Sequence, residues 1–155
     1  MNDTFMKEAI SLAEKGMTKT GGGPFGAIIV KDGKIIGQGN NNVTPLNDPT
    51  AHAEITAIRD ACKSLQTFSL NGCEIYTSCE PCPMCLGAIY WARLDKVYYA
   101  ADQKDAAKIG FDDENFYEEL KKPFSERKVP MIQLMHDEAV KIFHAWDEKP
   151  DKVMY

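Results

Sequence analysis

Two short clusters of polar side chains constrain this chain more than any other feature. The first is His52-Ala53-Glu54 and the second is Pro81-Cys82-Pro83-Met84-Cys85. Zinc takes nitrogen and sulfur ligands in tetrahedral geometry, and a site with three protein ligands leaves the fourth position for water. The fold is therefore expected to bring the two clusters together around a zinc ion held by His52, Cys82 and Cys85.

Glu54 lies two residues after His52, where it can face the open position of the metal without being a ligand. Zinc lowers the pKa of a bound water from ~16 to about 7. The order H-x-E followed by P-C-x-x-C is the signature of zinc-dependent base deaminases. We therefore expect Glu54 to be catalytic, taking a proton from this water and returning protons to the substrate and to the leaving nitrogen.

More than one pair of cysteines could bind the metal, because Cys79, Cys82 and Cys85 form two overlapping C-x-x-C pairs. Cys82 and Cys85 flank a helix start marked by proline, where the helix dipole favours thiolate, so we assign these two. A closed structural zinc with all three cysteines would have no open position. A redox C-x-x-C would leave the His52 cluster unexplained. An iron-sulfur cluster would require a fourth cysteine at suitable spacing.

Composition narrows the class of protein further. A chain of 155 residues fits one domain. It carries 18 Lys and Arg against 23 Asp and Glu, a net charge of −5, which argues against a nucleic-acid-binding surface. It has no export signal and no apolar run of about 20 residues, so we expect a cytoplasmic protein that does not span a membrane. Five cysteines then indicate free thiols.

Hydrophobic periodicity predicts alternating helices and strands. Asp32-Gly33 is a strong hairpin signal, and residues 40–49 are expected to form a polar loop without a regular element. The pattern predicts a three-layer α/β/α sandwich with a mixed sheet of about five strands. The predicted helices are 5–16, 52–62, 83–91, 113–120 and 136–146, and the predicted strands are 25–30, 35–39, 74–78, 96–100 and 131–135.

Over nearly its whole length the chain resembles the cytidine deaminase-like superfamily, and more closely its short zinc-dependent guanine deaminases. The segment Phe111-Asp112-Asp113 and the terminal Tyr155 resemble guanine deaminases in particular. The resemblance implies Zn²⁺ as cofactor and hydrolysis of guanine to xanthine and ammonia. Deamination of tRNA adenosine is the alternative function. Guanosine or another amino-substituted ring is an alternative substrate. The segments that carry the resemblance are 22–27, 41–43, 48–54, 77–85, 86–93 and 110–113.

Candidate substrate contacts follow from the residue types and from the resemblance. Asn41 offers an amide with both donors and acceptors, although an asparagine in this loop is also an ordinary turn residue. Asp113 offers a carboxylate, although it could equally cap a helix. Phe25 and Trp91 could stack on a flat ring or lie in the core. Ala53, between the ligand and the carboxylate, is included in the expected substrate site.

The C-terminal segment, residues 136–155, is unusually aromatic for a chain end. In the enzymes that the chain resembles, this segment crosses to a partner subunit and helps to cover the site. The resemblance therefore implies a homodimer with exchanged C-terminal segments, in which Tyr155 contributes to the neighbouring pocket. The alternative is a helix packed on the sheet of its own chain.

Overall fold

The computed structural model describes residues 3–111 and 113–155. Asp112, which belongs to the motif Phe111-Asp112-Asp113, lies outside the described residues. The chain forms two compact units, the first ending at Tyr117 and the second spanning Glu118–Tyr155. Across the described ranges, no helix is both long enough and apolar enough to cross a bilayer.

A four-stranded mixed sheet forms the centre of the first unit. Its strands are β1 (Gly26–Lys31), β2 (Lys34–Asn40), β3 (Cys73–Cys79) and β4 (Lys96–Ala101). Their order in the sheet is β2-β1-β3-β4. Strand β1 pairs antiparallel with β2 and β3, whereas β3 and β4 are parallel. Asp32 and Gly33 have φ of 49° and 73°, so the predicted tight hairpin turn is confirmed.

Helices cover both faces of this sheet, so the predicted three-layer α/β fold is confirmed. On one face, Ala9 of the first helix packs against Ile28 and Tyr76. On the other face, the third and fourth helices pack through small residues such as Ala57 against Ile29. The helices that begin in this unit are α1 (Asp3–Lys15, continued as a π-helix over Gly16–Thr20), α2 (Val43–Leu46), α3 (Ala53–Leu65), α4 (Pro83–Trp91), α5 (Gln103–Lys108) and α6 (Asp113–Lys121).

Helix α3 approaches strand β2 closely because glycines of β2 face it. A Cβ atom on Gly39 would lie 2.5 Å from the carbonyl oxygen of Ala53, and one on Gly37 would lie 2.6 Å from that of Ala57. Real Cβ contacts are longer than this, so larger residues would push the helix away. The two glycines thus fix the start of α3, and with it the position of His52.

Three details of the sequence prediction were wrong. The sheet has four strands in the described residues, because residues 131–135 form no strand: they are exposed and have no strand partner. Residues 40–49 are not entirely irregular, because α2 forms a short helix within them. Helix α5 was not predicted, although Asp102 begins it with a capping box in which Asp102 and Asp105 bond each other's backbone amides.

The second unit contains the end of α6, a 3₁₀ turn at Phe124–Glu126 and helix α7 (His136–Asp147). All of its residues are described, and none of them is buried. Its large apolar side chains are instead exposed, and Ile132, Leu134 and Phe143 each have more than two-thirds of their surface open to solvent. A single copy of this unit therefore has no hydrophobic core of its own.

Candidate metal centre and adjoining cavity

The start of α3 and the start of α4 bring one imidazole and two thiols together. His52 directly precedes α3, Cys82 directly precedes α4, and Cys85 lies in the first turn of α4. The His52 Nδ1 atom is 3.6 Å from the Cys82 Sγ atom and 3.5 Å from the Cys85 Sγ atom. Tetrahedral zinc, with ligands at about 2.05 Å (nitrogen) and 2.3 Å (sulfur), separates nitrogen from sulfur by about 3.6 Å. The three donor atoms therefore fit a zinc ion, and the chain carries a zinc-binding group.

The protonation of the two thiols also favours binding of a metal cation. The Cys85 thiol beside it lowers the pKa of Cys82 to about 4. The same contact, together with burial, raises the pKa of Cys85, and the Cys82 sulfur raises the pKa of His52. The two sulfurs thus share one proton in the metal-free chain. A bound metal ion replaces such a proton, because a coordinating thiol is deprotonated.

Glu54 is a buried carboxylate beside this group. Its side chain lies in the first turn of α3 and is only 6% exposed. Burial raises the pKa of Glu54 to about 7. A carboxyl group with this pKa exchanges protons readily at neutral pH, which is the property that a general acid and base needs.

Cys79 lies apart from the three-ligand group. It is the last residue of β3, and its thiol donates to the carbonyl oxygen of Asp102 at 3.7 Å. Burial raises the pKa of the Cys79 thiol to about 12. The described group that could hold a metal consists of His52, Cys82 and Cys85, without Cys79. This arrangement favours a site with an open fourth position over a closed four-ligand site.

A cavity of about 430 Å³ opens beside the metal ligands. His52, Glu54 and Cys82 line one part of it, and the loop of residues 21–23 lines another. Its volume lies within the range of about 300 to 1,000 Å³ that small-molecule sites usually have. The Glu54 carboxylate and the metal-binding group therefore face a space of the right size for one small molecule.

Asn41 lies in this cavity with a fixed orientation. Its side-chain oxygen accepts hydrogen bonds from the backbone amides of Gly23 and Val43, both at 3.2 Å. A Cβ atom on Gly22 would lie 1.9 Å from the Asn41 carbonyl oxygen, so the glycine allows the two loops to touch. Because two amide donors hold the oxygen, the Asn41 NH₂ group is the part of the side chain that remains for a ligand.

Aromatic and acidic side chains complete the lining. The rings of Phe25 and Phe111 meet edge to face with centroids 4.7 Å apart. Phe25, Phe111 and Asp113 all line the cavity. The cavity thus offers a flat apolar wall, an amide donor and a carboxylate acceptor, the set of groups that a polar aromatic ring requires.

The other predicted substrate residues are placed differently. Ala53, the first residue of α3, is fully buried in the core. Trp91 is 63% exposed at the end of α4 and does not line this cavity. Tyr155 belongs to the second unit and is 71% exposed.

The sequence prediction missed several residues that line the cavity, among them Glu80 and Phe111. Glu80 stands between Cys79 and Pro81 within the cysteine motif, and Phe111 stands within the motif that resembles guanine deaminases. Their positions in these motifs were the available signal for both.

Comparisons with known proteins agree with this geometry. The guanine deaminase of Bacillus subtilis (strain 168) is 56% identical over 154 residues, covering 99% of both chains, and its crystal structure superimposes with a TM-score of 0.96 over 100% of this chain and 99% of that one. A guanine deaminase structure from Nitrosomonas europaea is 34% identical, with a TM-score of 0.70 over 73% of this chain and 65% of that one.

A tRNA-specific adenosine deaminase of Aquifex aeolicus (strain VF5) is 48% identical over 100 residues, covering 64% of this chain and 66% of that one. The family model for the cytidine and deoxycytidylate deaminase zinc-binding region matches residues 1–101. The chain therefore belongs to the cytidine and deoxycytidylate deaminase zinc-binding family.

Proposed function

We propose that this protein hydrolyses guanine to xanthine and ammonia, with zinc held by His52, Cys82 and Cys85. The observation that carries the proposal is the cluster of three donor atoms at zinc spacing beside a buried carboxylate and a cavity of small-molecule size. The similarity to a guanine deaminase over almost the full length supports guanine as the substrate.

The proposed metal site assigns one role to each ligand. His52 would bind through Nδ1, the nitrogen nearest both sulfurs, and Cys82 and Cys85 would bind as thiolates. Zinc in this position would lower the pKa of a water molecule toward neutrality and make it a nucleophile.

Glu54 moves the protons of the reaction. Its carboxylate accepts a proton from the attacking water and passes protons to the ring and to the amino group, which leaves as ammonia. Ammonia is a poor leaving group unless it is protonated first. A buried carboxyl whose pKa lies near 7 can serve both steps, because neither protonation state is strongly favoured at neutral pH.

The cavity lining supplies recognition of the purine. The Asn41 NH₂ group would donate to a ring acceptor, and the Asp113 carboxylate would accept from a ring N–H or amino group. The Phe25 wall would lie against the flat ring. Leaving one of these polar groups without its partner costs about 1 to 3 kcal/mol, which allows the site to reject related bases.

A second candidate is deamination of adenosine in tRNA, which the similarity to the Aquifex aeolicus enzyme over 100 residues favours. The net charge of −5 is poor for binding a polyanion. Ammonia release from guanine, guanosine, adenine, cytosine, cytidine and an anticodon stem-loop separates the candidates. Guanine alone should be consumed rapidly, and turnover of the stem-loop with inert guanine would establish the other function.

We further propose one domain over residues 1–155 that works as a homodimer with exchanged C-terminal segments, residues 136–155. The exposed apolar side chains of this segment, among them Phe143 and Met154, need a covering surface. In such a dimer, Tyr155 would complete the partner's pocket, and Trp91 and Ala53 would belong to the assembled substrate site. The five free thiols suit a cytoplasmic enzyme of purine metabolism.

A further inference from the structure

Tyr117 joins the helix that carries Asp113 to the loop that carries a metal ligand. Its hydroxyl donates a 2.8 Å hydrogen bond to the backbone carbonyl oxygen of Pro81, the residue before Cys82. Tyr117 lies four residues after Asp113 on α6, so the two side chains share one face of the helix. The hydroxyl thus links the helix that carries Asp113 to the loop before Cys82 through a single hydrogen bond.

The acceptor end of this bond is firmly held. The backbone amide of Glu80 donates to the carbonyl oxygen of Ala101 at 2.8 Å. The Glu80 carboxylate accepts from the backbone amide of Gln103 at 3.1 Å. The ring of Pro81 restricts its own φ angle. The Pro81 carbonyl is therefore a fixed point from which a neighbouring helix can be positioned.

The helix end of the bond lies on α6, which has no buried residue. Tyr117 itself is partly buried. Just before the helix, the Phe111 ring rests edge to face on Phe25. The Phe111 ring contact and the Tyr117 hydrogen bond therefore stand on either side of Asp113 along the chain.

We propose that Tyr117 is a positioning residue that sets where the Asp113 carboxylate meets the substrate. The inference rests on the proposed function, because it assigns Asp113 to recognition of the purine. Tyr117 acts through Asp113 and does not itself line the cavity. Tyr117→Phe retains the ring and removes only the hydroxyl, so it isolates this role.

The test is a double-mutant cycle of guanine binding in a Glu54→Gln background, where substrate is not consumed. Calorimetry gives the guanine Kd for the parent, for Tyr117→Phe, for Asp113→Asn and for the pair. Tyr117→Phe should weaken binding about three- to tenfold, the effect of one hydrogen bond, and should add nothing once Asp113 is replaced. Bound zinc should stay at the parental level in all four proteins.

Tyr76→Phe is the matched control. It removes the hydroxyl of a buried tyrosine, which donates to Glu74 at 3.4 Å on the sheet face that packs against α1, and it should leave guanine binding unchanged. The inference is overturned if Tyr117→Phe has no effect on binding, weakens binding equally with either residue at position 113, or loses zinc.

A parent protein that binds no guanine would count against the proposed function instead. Amide hydrogen exchange then tests the inference without ligand. Tyr117→Phe should speed exchange of the α6 amides, and unchanged exchange would overturn the positioning role.

Discussion

His52 and Cys82 occupy equivalent positions at the starts of two different helices. Each is the residue before the first helical turn, with φ of −66° in both and extended ψ of 159° and 168°. Neither side chain caps its own helix, so both are available to a metal ion. An ion bound there would tie the start of α3 to the start of α4, which connects metal binding to the stability of the fold.

Removing zinc should therefore lower the melting temperature. A ligand present at a hundred times its Kd stabilises the folded state by about 2.7 kcal/mol. For a chain of this size we expect chelation to lower Tm by about 5 to 10 °C. Differential scanning fluorimetry with and without a chelator measures the change, and added zinc should reverse it. Cys62→Ser should behave like the parent, whereas Cys82→Ser should lose the response to zinc. If the chelator leaves the Tm of the parent protein unchanged, this account is contradicted.

Cys82 should react with iodoacetamide in the metal-free protein at a rate nearly independent of pH from 6 to 9. Its pKa of about 4 lies below this range, so the thiolate predominates throughout. The Cys79 thiol, with a pKa of about 12, should stay almost unreacted. Mass spectrometry of timed digests measures both rates. Bound zinc should protect Cys82, and a tenfold fall in its rate per pH unit below 8 would disprove the shared-proton arrangement.

Asn41→Asp should weaken guanine binding by about tenfold or more, because a carboxylate cannot donate and would replace the NH₂ group at the cavity. Its oxygens can still accept from the Gly23 and Val43 amides, so the loop should keep its fold. The exposed Asn47, in the same loop, provides the matched control Asn47→Asp. Values of kcat/KM for both variants give the comparison. Equal activity of the two variants would remove Asn41 from recognition.

Deleting Met154 and Tyr155 should lower turnover about tenfold or more, because Tyr155 would no longer complete the pocket of the partner subunit. A mixed dimer gives the sharper result. A truncated chain and a full-length Glu54→Gln chain are each inactive or nearly so, yet coexpression should restore activity, because the intact tail of one covers the intact Glu54 site of the other. A tail that packs on its own chain would give no recovery.

Local patterns in the sequence were enough to predict the elements that carry the metal-binding group. Helix α4 begins at Pro83 and ends at Trp91, as predicted, because a proline marks its start and a continuous apolar run fills it. Strands β1 and β2 follow from their β-branched residues and from the Asp32-Gly33 turn. These signals are strong because the interactions that produce them lie within a few residues.

Contacts between distant segments were harder to predict. The choice of the Asn41 oxygen as acceptor depends on Gly23, and the Phe25 wall depends on Phe111, residues that only the folded chain brings together. The expected strand at 131–135 has the apolar residues of a strand, but the described part of the chain offers it no partner strand. A strand forms only where another strand accepts its hydrogen bonds, which periodicity alone does not reveal.

Glu54→Gln tests the central claim most directly, with ammonia release from guanine and bound zinc measured on the same samples. The variant keeps the shape of the side chain and removes its ability to carry a proton. The account predicts that turnover falls by at least about a hundredfold, the contribution of a general acid and base, while zinc content stays equal to that of the parent. Turnover of guanine at the parental rate by a zinc-loaded Glu54→Gln protein would contradict it.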